Sequence, residues 1–395
     1  MRYTAFMLRA TQHIAVAGGG IFGITAAIAL RERGYQVTVF DPGKLPHPLA
    51  ESTDISKVVR MDYGADEAYL ALMEEAMEGW DRYNARWPKP LYHPTGVMFL
   101  TRSSMAEGGF ELESYRRLVR RGHACERLDE AEIRRRFPAW RGHTDGYFNP
   151  TGGYAESGKV VVQLVREAVA AGVVIREDAQ VTGIHSEGSK AAGLIVSGEV
   201  VKSDHVVVAA GAWTGALLPH LASEFRPVGQ PVFHLVPEDP SLFRADRFPV
   251  FGADISRTGY YGFPVTEDGI VKIANHGAGR IVDPAGVREV NSAEESALRA
   301  FVSETFPDLD GTRLAATRLC VYCDTHDGHF WIARDPDHEG LTVAAGGSGH
   351  AFKFAPVLGN LIADAMEGRE RPALSRFRHR PGLVSKSEEA ARHQG

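Results

Sequence analysis

The run Gly18-Gly19-Gly20-Ile21-Phe22-Gly23 carries glycines at the spacing G-x-G-x-x-G. That pattern is weak alone, but its setting here is informative. It follows a short β-rich run, His13 to Ala17, and opens a helical stretch, Ile21 to Arg33. Gly34 is placed to end that helix in a left-handed turn. Gln36 to Phe40 then alternates as a second strand and ends at Asp41, 23 residues after Gly18 (41 − 18). Dinucleotide binding requires each part. Gly18 makes the tight turn, Gly20 lets the backbone approach a pyrophosphate, and Gly23 lets helix and strand pack closely. Ile21 and Phe22 begin the helix, whose first N–H groups and partial positive charge favour phosphate. Asp41 can accept the ribose hydroxyls.

Two further groups of residues could do chemistry. Gly346-Gly347-Ser348-Gly349 lies between an apolar strand, Leu341 to Ala345, and a helix starting near Pro356. Such a turn lets backbone N–H groups of residues such as Gly347 and Gly349 approach a planar ligand, and the helix dipole favours negative charge there. Cys320, Cys323, His326 and His329 have the spacing C-x2-C-x2-H-x2-H, which could suggest a metal. In a strand, residues three apart point to opposite faces, so Cys320 and Cys323 would not converge. Zinc fingers also separate their ligand pairs by a longer loop. No metal is expected at these residues.

The elements that must hold these groups follow from periodicity. Residues 66–86 repeat apolar side chains at helical spacing, and the charged segment 111–136 reads as helix. Leu91 to Leu100 and Gly146 to Tyr154 read as strands of an antiparallel sheet. Gly158 to Ala171 reads as helix. Val173 to Arg176, Val181 to His185, Leu194 to Val201 and His205 to Ala209 read as strands, with Val181 counted among the cofactor-binding residues. Residues 226–320 are richer in proline and aromatics and suggest short strands of a mixed, mainly antiparallel substrate domain. Val357, Leu358, Leu361, Ile362 and Ala365 form the apolar face of the last helix, which Gly368 closes.

A chain of 395 residues exceeds what one core usually organises. The expected class is α/β with an α+β second domain. A discontinuous cofactor domain would comprise 12–87, 150–222 and 318–380, a substrate domain 88–149 and 223–317, and flexible ends 1–11 and 381–395. The hydrophobic fraction of 44% and charged fraction of 24% are ordinary for a globular protein. A net charge of −6 gives no support for nucleic-acid binding. Three cysteines are too few for a disulfide scaffold and fit a reducing cytoplasm. The uncharged stretch Ile14 to Leu30 holds four glycines and reads as strand, turn and helix rather than a membrane segment.

The glycine motif does not separate NAD from FAD; its position does. FAD folds carry it near the N-terminus and return to the same sheet late in the chain. Val206-Val207-Val208-Ala209-Ala210-Gly211-Ala212-Trp213 is similar to the second strand-to-glycine turn of glutathione-reductase-type flavoproteins, and 341–368 to the third. FAD is therefore the expected cofactor.

From about residue 13 to 370 the sequence resembles the D-amino-acid-oxidase superfamily. Within it, the nearest group is that of monomeric sarcosine oxidase with the pipecolate, saccharopine and fructosyl-amino-acid oxidases. Beyond the dinucleotide fold, three motifs carry the likeness: Ser52 to Arg60 followed by Asp62-Tyr63-Gly64; Tyr260-Tyr261-Gly262-Phe263-Pro264 with Gly269 to His276; and Arg318 to Phe330 with Gly346 to Phe354. The resemblance implies that Lys57 sits beside the isoalloxazine ring and that Arg60 and Lys353 bind a substrate carboxylate, helped by Tyr261 or Tyr322. It also implies that His276 lines the pocket, and that Lys272 promotes reaction with O2. Cys320, 33 residues before Lys353 (353 − 320), would bond covalently to the flavin. Fructosyl-amino-acid oxidases carry a sugar-contacting glutamate where this chain has His276, which counts against Amadori compounds, although Lys57 and segment 318–331 lean towards that branch. The implied activity is oxidation of a secondary amino acid by hydride transfer, with imine hydrolysis and H2O2 formation, by a cytoplasmic monomer. A dehydrogenase passing electrons to a quinone or carrier protein, and a flavin-binding protein without turnover, are the alternatives.

Overall fold

The computed structural model describes residues 11–383. Most of the expected chain ends, 1–11 and 381–395, lie outside the described residues. Four sheets and the helices packed on them form a mixed α/β architecture. The first contains six strands in the order 331–334, 341–345, 205–208, 13–17, 36–40 and 174–176. All neighbours are parallel except 331–334, which runs antiparallel to 341–345. A parallel sheet needs both faces covered, and its strands accordingly alternate between two cores. Ile14, Val16, Val39, Val207 and Ala344 face the helices, whereas Ala15, Ala17, Val206, Val208 and Val343 face a small three-stranded sheet formed by 181–187, 190–196 and 199–202.

The second large sheet, of nine strands, joins the long antiparallel pair Arg226–Val236 and Arg313–Asp324 to Val271–Asn275, Tyr260–Gly262, Val250–Ala253, Val97–Thr101 and Asp145–Asn149, with Arg280–Ile281 and Glu126–Asp129 at its edges. Helix Ser292–Thr305 packs Leu298 and Val302 into a core with Phe233, Phe251 and Ile273. A third core element is the contact of helix Ala355–Glu367 with helix Ile21–Glu32. Gly359 permits it, because a Cβ there would lie 2.2 Å from the Thr25 carbonyl oxygen.

Several sequence expectations need correction. The segment 111–136 is two helices, Phe110–Arg120 and Glu130–Arg136, separated by strand Glu126–Asp129. Gly122, with φ +88°, ends the first. Leu194 to Val201 is a hairpin, turned by Ser197 (φ +50°) and Gly198 (φ +88°). The expected strands 91–100 and 146–154 each divide between two sheets, at Gly96 and Gly152, both with positive φ. Residues 226–320 hold long strands and a helix, not only short strands. Asn291 and Glu294 form a capping box at that helix, a signal readable in the sequence.

Gly359→Ala is expected to force the two packed helices apart at a cost of about 1–3 kcal/mol. The thermal unfolding midpoint of the purified holoprotein should fall, and an unchanged midpoint would show that the helix pair tolerates the extra methyl group.

Candidate active site

The C-terminal ends of the parallel strands open onto a cavity of ≈ 410 Å³. This is where ligands bind in open α/β sheets. Gly18, Gly20, Ile21, Phe22, Asp41 and Val181 line it, as do Lys57, Trp213, Gly347 and Gly349. The glycine turn is tight: Gly18 has φ +104°, and a Cβ would stand 2.4 Å from the Ala209 carbonyl oxygen. Gly23 is not in the lining. Its place is packing, since a Cβ there would come within 1.8 Å of the Gly18 carbonyl oxygen. Asp41 accepts from the Gly19 N–H at 2.8 Å and the Gly43 N–H at 3.2 Å, and burial pushes its carboxyl up. Helix 21–32 has no side-chain cap, and Gly20, Ile21 and Phe22 at its N-terminus line this cavity, which leaves its first N–H groups for a ligand there. The set fits a dinucleotide: glycine backbone and a helix N-terminus for the pyrophosphate, and a carboxyl at the end of the second strand for the ribose.

A smaller cavity of ≈ 60 Å³ shares Lys57, Gly349 and Phe352 with the first. Arg60, Tyr261, His276 and Lys353 line it, together with the apolar side chains Val97, Phe99, Val250, Phe251 and Ile255. Arg60 and Lys353 are buried, and aromatic faces hold both. The Arg60 guanidinium lies 5.2 Å from the centre of the Tyr63 ring, 5.5 Å from Phe110 and 5.8 Å from Phe99. Lys353 Nζ lies 4.9 Å from Tyr63. The Trp80 indole donates to the Lys353 carbonyl at 2.7 Å and fixes its backbone. Asp62, fully buried, accepts from the Tyr147 hydroxyl at 2.7 Å and lies in the field of both cations; burial outweighs them and pushes its carboxyl up. Tyr261 and Tyr322 are hydrogen-bonded to each other, and burial raises both phenols. Gly349 (φ +74°) makes room for Tyr322, whose ring would be 2.2 Å from a Cβ.

Cys320 and Lys272 line neither cavity. They stand close to Lys57, which lines both. Lys57 Nζ is 3.8 Å from Cys320 Sγ. Cys320 packs with Val232, Ala274 and Tyr322, while Cys323 belongs to a different core with Trp331 and Val343, as strand alternation requires. Lys272 projects from its strand into the interior, 1% exposed, and donates to Asp54 Oδ2 at 2.7 Å and to the Ser56 carbonyl at 2.5 Å. His234 Nε2 is 3.5 Å from the other carboxylate oxygen. Burial raises the Asp54 carboxyl, but Lys272, His234 and Lys57 outweigh it and hold it well below the usual range. Burial lowers Lys272 to about 8 against the opposing pull of Asp54. Both shifts leave a charged pair at neutral pH.

Sequence reasoning gave no role to Asp54 or Asp62, although both fall inside the quoted motif. Asp54, a lone acid in a loop, carries no period or spacing that marks it as the partner of Lys272, and Asp62 carries none that marks it as the acceptor of the Tyr147 hydroxyl.

The sequence model of the family described as FAD dependent oxidoreductase (DAO) matches residues 13–365. The chain belongs to this family. It therefore binds FAD, and the larger cavity is the site whose residues fit that cofactor. The chain is similar to N-methyl-L-tryptophan oxidase of Salmonella enteritidis, with 29% identity over 360 residues, covering 90% of this chain and 94% of that enzyme. It is 26% identical over 379 residues to monomeric sarcosine oxidase of a Bacillus species, covering 94% and 96%. Among solved structures, fructosamine oxidase (Amadoriase II) of Aspergillus fumigatus is 25% identical with a TM-score of 0.82, covering 97% of this chain and 93% of that one. No helix among the described residues is long and apolar enough to cross a membrane.

The Lys272–Asp54 pair yields a pH prediction. Lys272 is cationic below about 8 and loses its proton as pH rises through that value. With Asp54→Asn, burial and the Lys57 charge remain while the supporting carboxylate is gone. The Lys272 titration should then move below about 8, followed by NMR of 13C-labelled lysine side chains. A midpoint unmoved by the substitution would show that Asp54 does not hold the proton on Lys272.

Proposed function

We propose that this flavoprotein oxidises a small secondary amino acid at a carbon–nitrogen bond. The observation that carries the reading is the wall of Lys57, Gly349 and Phe352 shared by the two cavities. It sets a compartment with two buried cations directly against the cofactor site. Arg60 and Lys353 would clamp the substrate carboxylate, since charge-assisted bonds from two fixed cations define orientation as well as affinity. Tyr261 or Tyr322 would add a hydroxyl to that clamp. The aromatic faces around Arg60 and Lys353 keep water from competing. The apolar part of the lining suits a hydrocarbon substituent, and the volume of ≈ 60 Å³ suits a small one. His276 lies beside Tyr322, ring centres 5.7 Å apart, and would hold the amine in its neutral, reactive form.

Bound FAD supplies the acceptor for the hydride leaving the carbon beside nitrogen and the route of the electrons to O2, which yields H2O2. The imine product hydrolyses in water to a primary amine and a carbonyl compound. Lys272 would provide a fixed positive charge that favours electron transfer to oxygen. Cys320, buried and 3.8 Å from Lys57, would form the covalent bond to the flavin. Of the substrates named for the bacterial relatives, sarcosine, the smaller, is the first to consider, and the absence of a carboxylate from the smaller cavity's lining speaks against a sugar adduct. The six-stranded sheet would organise the cofactor domain and the nine-stranded sheet the substrate domain, in a cytoplasmic monomer.

One observation favours a second reading, a dehydrogenase that passes electrons to a quinone or carrier protein. Asp54 lies 2.7 Å from Lys272 Nζ and offsets the charge that oxygen activation would use.

An oxygen electrode separates the two. With N-methyl amino acids the holoprotein is expected to consume O2 and release H2O2. Arg60→Met or Lys353→Met should raise KM about 10–100-fold, the equivalent of losing one charged hydrogen bond of about 1.5–3 kcal/mol. Flavin reduction without oxygen uptake would establish the dehydrogenase. Failure of every secondary amine to bleach the flavin would remove both readings.

A second measurement addresses the covalent bond. After acid denaturation the yellow colour should stay with the precipitated wild-type chain and pass to the supernatant in Cys320→Ala. Colour in the wild-type supernatant would mean that FAD is held without a bond.

A further inference from the structure

Outside both cavities, three side chains with metal-binding donor atoms meet at the edge of the six-stranded sheet. Asp335 directly follows strand Trp331–Arg334. His338 lies in the loop that turns back into strand Leu341–Ala345, and His220 in the short turn Pro219–Glu224. His220 Nε2 is 2.6 Å from Asp335 Oδ2, and His338 Nδ1 is 3.0 Å from Asp335 Oδ1. One donor atom from each residue lies within 4.8 Å of the other two. We propose that His220, Asp335 and His338 form a binding site for one divalent transition-metal cation of the zinc class.

The donor set decides the class of ion. Two imidazole nitrogens with one carboxylate oxygen suit zinc, cobalt or nickel, whereas calcium and magnesium take oxygen ligands. The electrostatics agree. The two imidazole rings face one another with centres 4.4 Å apart and a tilt of 36°. Two imidazolium charges at that separation would repel. A single divalent cation replaces the two N–H protons now directed at the carboxylate and satisfies all three donors at once. Bonds of about 2.0–2.2 Å to nitrogen and oxygen require the 2.6 Å His220–Asp335 contact to open and any donor pair near the 4.8 Å limit to close.

The site is also held in place before any ion arrives. The Asp335 side chain is wholly enclosed, while both imidazoles are 34% exposed, so the remaining coordination positions open to water. Asp335 Oδ1 accepts from the backbone N–H groups of Asp337 and His338 at 3.0 and 3.1 Å. The loop is closed at its base by Asp335 N–H to the Leu341 carbonyl and Leu341 N–H to the His338 carbonyl. Ala191 N–H bonds the Glu339 carbonyl at 2.7 Å and ties the same loop to the neighbouring sheet. His220 comes from a separate segment that begins just after Trp213, Ala216 and Leu217, which line the cofactor cavity. A cation here would brace that wall from outside and needs nothing from the proposed reaction.

The test uses the FAD-loaded full chain, prepared without a polyhistidine tag and stripped of metal with a chelator. Zn²⁺ is titrated by calorimetry and Co²⁺ by visible absorption. One cation per chain is expected, with a cobalt ligand-field band and a rise in the thermal unfolding midpoint on adding Zn²⁺. His220→Ala, His338→Ala and Asp335→Asn should each weaken binding at least tenfold, whereas His123→Ala, a histidine elsewhere paired with Glu74, should not. His220→Ala is decisive on its own, because its ring contacts the loop only from outside and the loop's own bonds survive its removal. Zn²⁺ binding that persists undiminished in His220→Ala, or the lack of any cobalt band in the wild-type chain, would overturn the assignment.

Discussion

A charge pair sealed from solvent joins the two halves of the candidate site. Lys272 belongs to the nine-stranded sheet, and Asp54 to the segment that runs between the cofactor cavity and the smaller cavity. Burying two charges is expensive, and removing one partner of such a pair typically costs about 3–5 kcal/mol because the other is left uncompensated. The pair is supported on both sides: the Ser56 carbonyl takes a second bond from Lys272, and His234 approaches the second oxygen of Asp54. The segment it holds is pinned by further contacts. Arg318 donates to the Thr53 and Ala50 carbonyls, Arg288 to that of Leu49, and the Gly158 N–H and Ser157 hydroxyl both reach the Asp54 carbonyl. Lys57 and Arg60, which line the smaller cavity, therefore start from a backbone fixed by strand 313–324, helix 157–170 and strand 271–275.

The cofactor side depends on a different economy of space. Gly18, Gly23 and Gly359 each stand where a single methyl group would meet a carbonyl oxygen at 2.4 Å or less. These contacts draw the first helix, the first strand and the last helix together. The helix N-terminus and the strand ends then open on one side of the sheet, where a phosphate can use the N–H groups that no side chain caps.

Local chemistry made part of this legible in the sequence. The βαβ opening has strong period changes, turn glycines and an acid at the right distance, so its three elements fall where periodicity puts them. The last strand and helix, 341–345 and 355–367, are equally apolar and clearly bounded. Segment 111–136 misleads because its charges suit a helix throughout, and only tertiary pairing of Glu126–Asp129 with Asp145–Phe148 selects a strand. Strand 226–236 is obscured by Pro227 and Pro231, both of which lie in its long antiparallel pairing with 313–324. The candidate site shows the same division. Residues within glycine motifs could be placed from spacing. Asp54 and Asp62 acquire meaning only when folding brings them to Lys272 and to Tyr147, 218 and 85 positions away respectively.

The wall shared by the two cavities separates what can vary from what cannot. A change at Lys57, Gly349 or Phe352 is felt on both faces at once, so the two cavities cannot be reshaped independently there. Val97, Phe99, Val250, Phe251 and Ile255 touch only the smaller space and come from strands 97–101 and 250–253 and the turn that follows. Substitutions at these five apolar positions reshape the smaller space while the lining of the larger one stays as it is.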